Sequence, residues 1–192
     1  MSGSGTTQKN VQSILDGVTG NPETGVPGLV FVAVDKNGDT ISANASGQKG
    51  VSNKKPMDLD TVFWIASCTK LIATIACLQQ VEQGKLSLDD HKHLYKHCPE
   101  LEKVRVLKED GTLEDKKKDI TLRMLLAHTA GFAYEFFNAT LRDHGRPVGF
   151  DAFSGSTKDL FDRPLSNQPG SRWEYGVRRL FYLSFNPSQT LI

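Results

Sequence analysis

The sequence predicts an α/β chain, and three observations carry that expectation. A compact β-prone run, Leu29 to Val34, precedes Asp35-Lys36-Asn37-Gly38-Asp39 and a second extended stretch, Thr40 to Ala45. An Asn-Gly pair between two such runs signals a hairpin, because the tight turn needs positive φ at its central residues. Apolar residues at helical spacing lie on both sides of that hairpin. With 192 residues, 38% of them apolar, the chain is long enough to bury a core.

In chain order, Val11, Ile14, Leu15 and Val18 recur at helical spacing, and Gly20-Asn21-Pro22 ends that helix. The hairpin follows, and Gly47 to Asp60 reads as a polar, basic loop. Leu71, Ile72, Ile75, Leu78 and Val81 mark an apolar helix, closed by Gly84 in the C-cap position. Asp110-Gly111 predicts a turn inside a charged stretch that ends at Lys118, most simply a solvated excursion. Thr121 is an N-cap for a short helix, Leu122 to Ala127, broken by His128-Thr129-Ala130-Gly131. Phe132 to Arg172 is rich in Gly, Pro, Asp and Ser, which predicts loops and short helices around a site.

Composition narrows the function classes. The 23 basic and 22 acidic side chains give a net charge of +1, which points to neither nucleic acid nor a membrane surface as partner. No apolar run reaches the roughly 20 residues of a membrane span, and MSGSGTTQKN lacks the apolar core of a secretory signal. Cys68, Cys77 and Cys98 follow no metal-ligand spacing, so reduced thiols in a cytoplasmic setting, with no metal and no organic cofactor, are expected. No motif specifies an oligomer.

The chemistry concentrates in TVFWIASCTKLIATIACL, Thr61 to Leu78. The pattern S-x-x-K occurs three times, at Ser46–Lys49, Ser52–Lys55 and Ser67–Lys70. The first two lie in the polar region, where a hydrated lysine keeps its high pKa and is no base near neutrality. Only Ser67 and Lys70 follow a strand-like apolar run and open an apolar helix. One helical turn puts them on one face, partial burial would disfavour the ammonium form, and the helix N-terminus favours developing negative charge. The alternative is that Ser67 caps the helix while Lys70 extends to water. On this segment alone both readings stand.

Two more segments decide between them. MLLAHTAGF, Met124 to Phe132, couples a helix end to a His-Thr-Ala-Gly turn, and PGSRWEYG, Pro169 to Gly176, presents Tyr175 in an aromatic, turn-bounded setting. In this order, Ser67-Cys68-Thr69-Lys70, Leu125 to Gly131 and Tyr175 resemble the serine β-lactamase-like superfamily, in its AmpC-like, esterase and lovastatin-type acyltransferase branch. GKLSLDD (Gly84 to Asp90) and DITLRMLLAHTAG (Asp119 to Gly131) also look like its linking segments. The resemblance runs from about Met57 to Val177 and implies an antiparallel sheet packed with helices.

The resemblance further implies that Ser67 is a nucleophile forming an acyl-enzyme, with Lys70 as its base and Tyr175 shuttling the proton to the leaving group. His128 and Gly131 would shape the turn near the site, and Trp64 and Trp173 are candidate substrate-binding residues, although packing is the commoner role of a tryptophan. Cys68 reads as a small core residue. The expected substrate is a small-molecule ester, thioester or lactam. Val177 stands where β-lactam-hydrolysing members carry asparagine, which favours esters and thioesters.

Two expectations concern the chain's extent. Residues 1–177 read as the N-terminal part of a β-lactamase-related domain and 178–192 as a tail unlike the family. The chain stops before the family's third motif, of the K-T-G or H-x-G type, so truncation is expected. The function is then a serine hydrolase or acyltransferase. The alternatives are an inert fragment or pseudoenzyme of that family, or a small α/β binding module.

Overall fold

A computed structural model describes residues 3–21, 25–154 and 162–176. The expected tail, 178–192, lies outside the described residues, as does Val177. The chain divides into two compact units, Met1–Trp64 and Ile65–Ile192.

The first unit is a helix, α1 (Gly3–Thr19), on a hairpin of β1 (Gly28–Val34) and β2 (Thr40–Gly47). The strands are antiparallel, with Gly28 opposite Gly47 and Val30 opposite Ala45, and the register slips between Ala33 and Val34. The turn closes as its residues require: Gly38 takes φ +88°, and the Asp35 carboxylate accepts from the amides of Asn37 and Asp39 at 2.8 and 2.9 Å.

The helix-to-hairpin contact is mostly polar. Alternate residues of β2, Ser42, Asn44 and Ser46, are buried. The Asn44 amide donates to Gln12 at 2.9 Å, and Ser46 donates to Asp16 at 2.6 Å. Hydrogen bonds from Ser46 and then Gln12 hold the Asp16 carboxyl below its ordinary value. Of the apolar residues that defined α1, Leu15 is buried while Ile14 and Val18 stay exposed. Periodicity therefore located the helix but not its packed face.

The second unit is mostly helical. It comprises α2 (Thr69–Glu82), α3 (His91–His97), α4 (Glu100–Lys103), the short pair β3 (Val106–Leu107) and β4 (Leu113–Glu114), α5 (Leu122–Leu126) and α6 (Ala139–Gly145). Leu94, Leu101, Ile120, Leu122, Leu125 and Leu165 are its fully buried centre. Side-chain caps place three helices: Asp90 accepts from Lys92 N, Thr121 from Met124 N and Asn138 from Leu141 N. Gly84, two residues past α2, has φ +70°, as expected of a helix terminator.

Three expectations are corrected here. The charged stretch through Lys118 is more than a solvated excursion, because Val106 and Leu107 are both 4% exposed and pair with Glu114 and Leu113. Two-residue strands are too short to show a period in sequence. Further, α2 turns Ala73, Cys77 and Gln80 to the core, while Leu71, Ile72, Ile75 and Leu78 remain exposed. The three cysteines form no disulfide with one another, and burial pushes the Cys77 thiol up to about 11. Cys68 is exposed, which overturns its reading as a core residue.

Candidate active site

The entry to α2 is a strained turn. Ala66 has φ +43°, a left-handed value that costs an alanine about 1–2 kcal/mol. A 3-10 turn, Ala66–Cys68, then runs into α2. Sharp reversals of this kind persist where the surroundings enforce them, commonly at functional sites. Ser67 sits on the crest of this one, exposed.

The helix-cap alternative for Ser67 does not describe this geometry. Cys68 occupies the N-cap position of α2, and no side chain caps it. Instead Lys70, half-buried one turn on, donates from Nζ to Ser67 Oγ at 3.1 Å. The Lys70 ammonium also lies 5.0 Å from the centre of the Tyr175 ring. Hydrogen bonding toward Ser67, reinforced by the hydrogen bonding and charge of Lys70, holds the Tyr175 phenol below its ordinary value despite the opposing effect of burial. Ser67 and Lys70 thus meet a tyrosine that lies more than a hundred residues further along the chain.

The two other S-x-x-K pairs have different company. Ser46 bonds to Asp16, and Lys49 forms an ion pair with Asp58 at 2.7 Å. Ser52 and Lys55 are exposed in the loop.

Tyr175 is placed by the His-Thr-Ala-Gly turn. His128, at φ +60°, accepts Glu174 N on its carbonyl at 2.9 Å, and Thr129 accepts Gly170 N at 2.7 Å. The imidazole stacks on the Tyr175 ring, with centroids 4.5 Å apart and planes 25° apart. A ring face, not a nitrogen, is therefore what His128 presents to the cluster. Gly131 has φ +94°, and a Cβ there would lie 2.2 Å from the Asn167 carbonyl oxygen. Only glycine fits this crossing of the turn and the segment leading to Tyr175.

Trp173 lies 6.4 Å from Tyr175 and 5.8 Å from His128, ring to ring, and is 65% exposed. Trp64 closes the first unit at 90% exposure. Packing is therefore the role of neither tryptophan.

Sequence reasoning missed Glu174. Its carboxylate accepts from Asn167 Nδ2 at 2.7 Å, Ser166 Oγ at 2.8 Å, Arg172 at 2.9 Å and Asn138 Nδ2 at 3.1 Å. Burial alone would raise its pKa, but the bonds from Ser166, Asn138 and Arg172 outweigh that and keep it low. The available signal was a charged residue set between Trp173 and Tyr175, where an apolar one would be expected.

Two cavities lie away from this cluster. One of about 460 Å³ in the first unit is lined by residues such as Val26, Gln48 and Lys54, and one of about 370 Å³ in the second is lined by Glu100, Arg105 and Arg163 among others. Neither contains a serine, lysine and tyrosine in mutual reach, so depth is a poor guide here. Among the described residues no group of three or more His, Cys, Asp and Glu side chains gathers to hold a metal ion. No described helix is long and apolar enough to cross a membrane.

With this geometry in view, a sequence model of the beta-lactamase family matches residues 8–177. The chain belongs to the beta-lactamase family. Lovastatin esterase of Penicillium rubens is 37% identical over 162 residues, covering 79% of this chain and 40% of that enzyme. Monacolin J acid methylbutanoyltransferase of Aspergillus terreus is 31% identical over 165 residues, covering 79% of this chain and 39% of that enzyme. Among solved structures, unliganded simvastatin synthase (LovD) of Aspergillus terreus superposes with a TM-score of 0.71 at 28% identity, covering 92% of this chain and 45% of that one. EstCE1, a hydrolase with promiscuous acyltransferase activity, gives 0.68 at 27% identity, with 90% and 44% covered.

The fold is accordingly β-lactamase/transpeptidase-like, mixing helices and antiparallel strands, as the sequence predicted. The two named relatives are an esterase and an acyltransferase. The chain spans about 40% of the length of the curated relatives it matches.

Proposed function

We propose that this chain is a serine esterase or acyltransferase that works through an acyl-enzyme on Ser67, with Lys70 and Tyr175 managing the proton. The observation that carries this reading is the Lys70 Nζ to Ser67 Oγ hydrogen bond of 3.1 Å, with the Tyr175 ring centre 5.0 Å from the same Nζ. Ser67 Oγ attacks the ester carbonyl carbon, and its proton passes to Lys70 or to a Tyr175 phenolate. The lowered Tyr175 pKa supports the second route, because it enlarges the phenolate fraction near neutrality. The backbone N–H of Ser67 supplies an oxyanion donor. As the carbon–oxygen bond to the alcohol breaks, Tyr175 returns the proton to the leaving oxygen. Water then takes the acyl group in hydrolysis, and a second alcohol takes it in transfer.

Small-molecule esters or thioesters are the substrates of choice, in keeping with the activities for which the relatives are named and with Val177 after Tyr175-Gly176. We assign residues 1–177 to the N-terminal part of the β-lactamase-related domain and 178–192 to a tail outside it. The family match over 8–177 supports that division. His128 and Gly131 serve the site by holding the Tyr175 segment.

The test is a burst of p-nitrophenol from p-nitrophenyl acetate. The account expects a burst of about one equivalent that Ser67→Ala abolishes and Cys68→Ala, removing the exposed neighbouring thiol, leaves in place. A burst unchanged in Ser67→Ala would sink the reading. No burst in either protein would favour an inert member of the family.

A further inference from the structure

The seven residues of α3, HKHLYKH, carry three of the chain's five histidines, and the helix divides them between two faces. His91 shares its face with Tyr95, one turn on. Its Nε2 lies 3.4 Å from Asp119 Oδ2, its ring meets Tyr95 edge-on at 5.3 Å, and the Tyr95 hydroxyl donates to the same carboxylate at 3.2 Å. That face is closed by its partners. His93 and His97 share another, because residues four apart in a helix lie one above the other. Both line a cavity of about 390 Å³, together with Gly84, Lys85 and Lys96.

The pair stands on a fixed stretch of backbone. Asp90 caps α3 by accepting Lys92 N at 2.9 Å, Cys98 N closes the last turn on the Leu94 carbonyl at 2.9 Å, and the Leu94 side chain is fully buried. Cβ atoms at this spacing are about 5–6 Å apart, a span that two imidazoles close on one ion with metal–nitrogen bonds of about 2.0–2.1 Å. A pair held in this way binds with little further ordering of the chain.

Charge and donor chemistry decide the ligand. α2 ends at Glu82, just before Gly84, and α3 ends at His97, so the C-terminal ends of two helices meet at the cavity and favour a cation there. Among the described residues no carboxylate lines it, which leaves little to hold the oxygen-seeking Mg²⁺ or Ca²⁺. Imidazole nitrogens suit the later first-row divalent ions instead. Lys85 and Lys96 are exposed, and their long stems let the ammonium groups stay in water, away from such an ion. We propose that His93 and His97 chelate one Cu²⁺, Ni²⁺ or Zn²⁺ ion at this cavity, with water completing the shell. Two side chains make an open, exchangeable site, unlike the three or four of a structural or catalytic metal centre. The expectation of no metal came from cysteine spacing, which does not bear on these imidazoles, and the site is independent of the Ser67 chemistry.

The test is calorimetric titration of the full chain with NiCl₂ in a non-chelating buffer. One equivalent binds, and His93→Gln, at an exposed position, weakens binding at least about tenfold by removing one arm of the chelate. His97→Gln does the same, while His91→Gln and Cys68→Ser stay within about twofold of the parent chain. Because His97 is half-buried, the surface variant His93→Gln is the deciding one. With Cu²⁺ as the probe, the electron paramagnetic resonance spectrum shows coupling to two imidazole nitrogens, and to one in His93→Gln. Ni²⁺ binding undiminished in His93→Gln overturns the site. So does binding lost in His91→Gln or Cys68→Ser, or Mg²⁺ binding as tightly as Ni²⁺.

Discussion

Tyr175 is poised by its neighbours: the Ser67 hydroxyl and the Lys70 ammonium both favour its ionised form. Its phenolate therefore forms below the ordinary tyrosine range of about 10, and acylation of Ser67 should rise with pH and level off short of that value. Lys70→Met removes one hydrogen bond and the cation, so the alkaline limb should move upward. A pH–rate profile of fluorophosphonate labelling reads this, and a limb that stays put in Lys70→Met means that Tyr175 is not the titrating group. Glu174 acts one residue away by holding Ser166, Asn167 and Asn138. Glu174→Ala should cost about 1 kcal/mol at neutral pH, because half-buried donors lose their acceptor. Its folded pKa is depressed, so this contribution is full above the unfolded carboxylate value of about 4.3 and fades as pH falls through the folded value. Urea unfolding of both proteins at neutral and acid pH should show the gap narrowing in acid.

At the scale of elements, the 3-10 turn carries Ser67, the first turn of α2 carries Lys70, and α2 divides its length between two environments. Its inward face is Ala73, Cys77 and Gln80, and its larger apolar residues point outward. Ile72→Ala, at 60% exposure, should change stability by less than about 0.5 kcal/mol, whereas Leu94→Ala in α3, fully buried, should cost about 2–5 kcal/mol. Urea midpoints decide this, and equal losses would mean that the outward face of α2 is packed. Here the sequence was legible for presence and illegible for facing. The Asn-Gly turn, Thr121 and Gly84 are local signals whose physics is complete within a few residues, and the hairpin, the α5 start and the α2 end lie where they predict. The face of a helix, the buried two-residue β3 and the Glu174 network depend on partners far along the chain. The same contrast applies to the site. Ser67 and Lys70 were visible as spacing plus apolar context, while their junction with Tyr175 depended on the turn at His128 and the close crossing at Gly131.

At the scale of the whole molecule, the family match and the structural relatives place the chain in the beta-lactamase family, within which the proposed acyl-enzyme chemistry is to be tested. The central claim is that one serine of the three S-x-x-K pairs is activated. The most direct measurement is peptide mapping by mass spectrometry after fluorophosphonate labelling of the full chain. The account predicts an adduct on Ser67, none on Ser46 or Ser52, and labelling slowed by at least about tenfold in both Lys70→Met and Tyr175→Phe. An adduct spread over the three serines, or labelling of Ser67 indifferent to Lys70 and Tyr175, would contradict it.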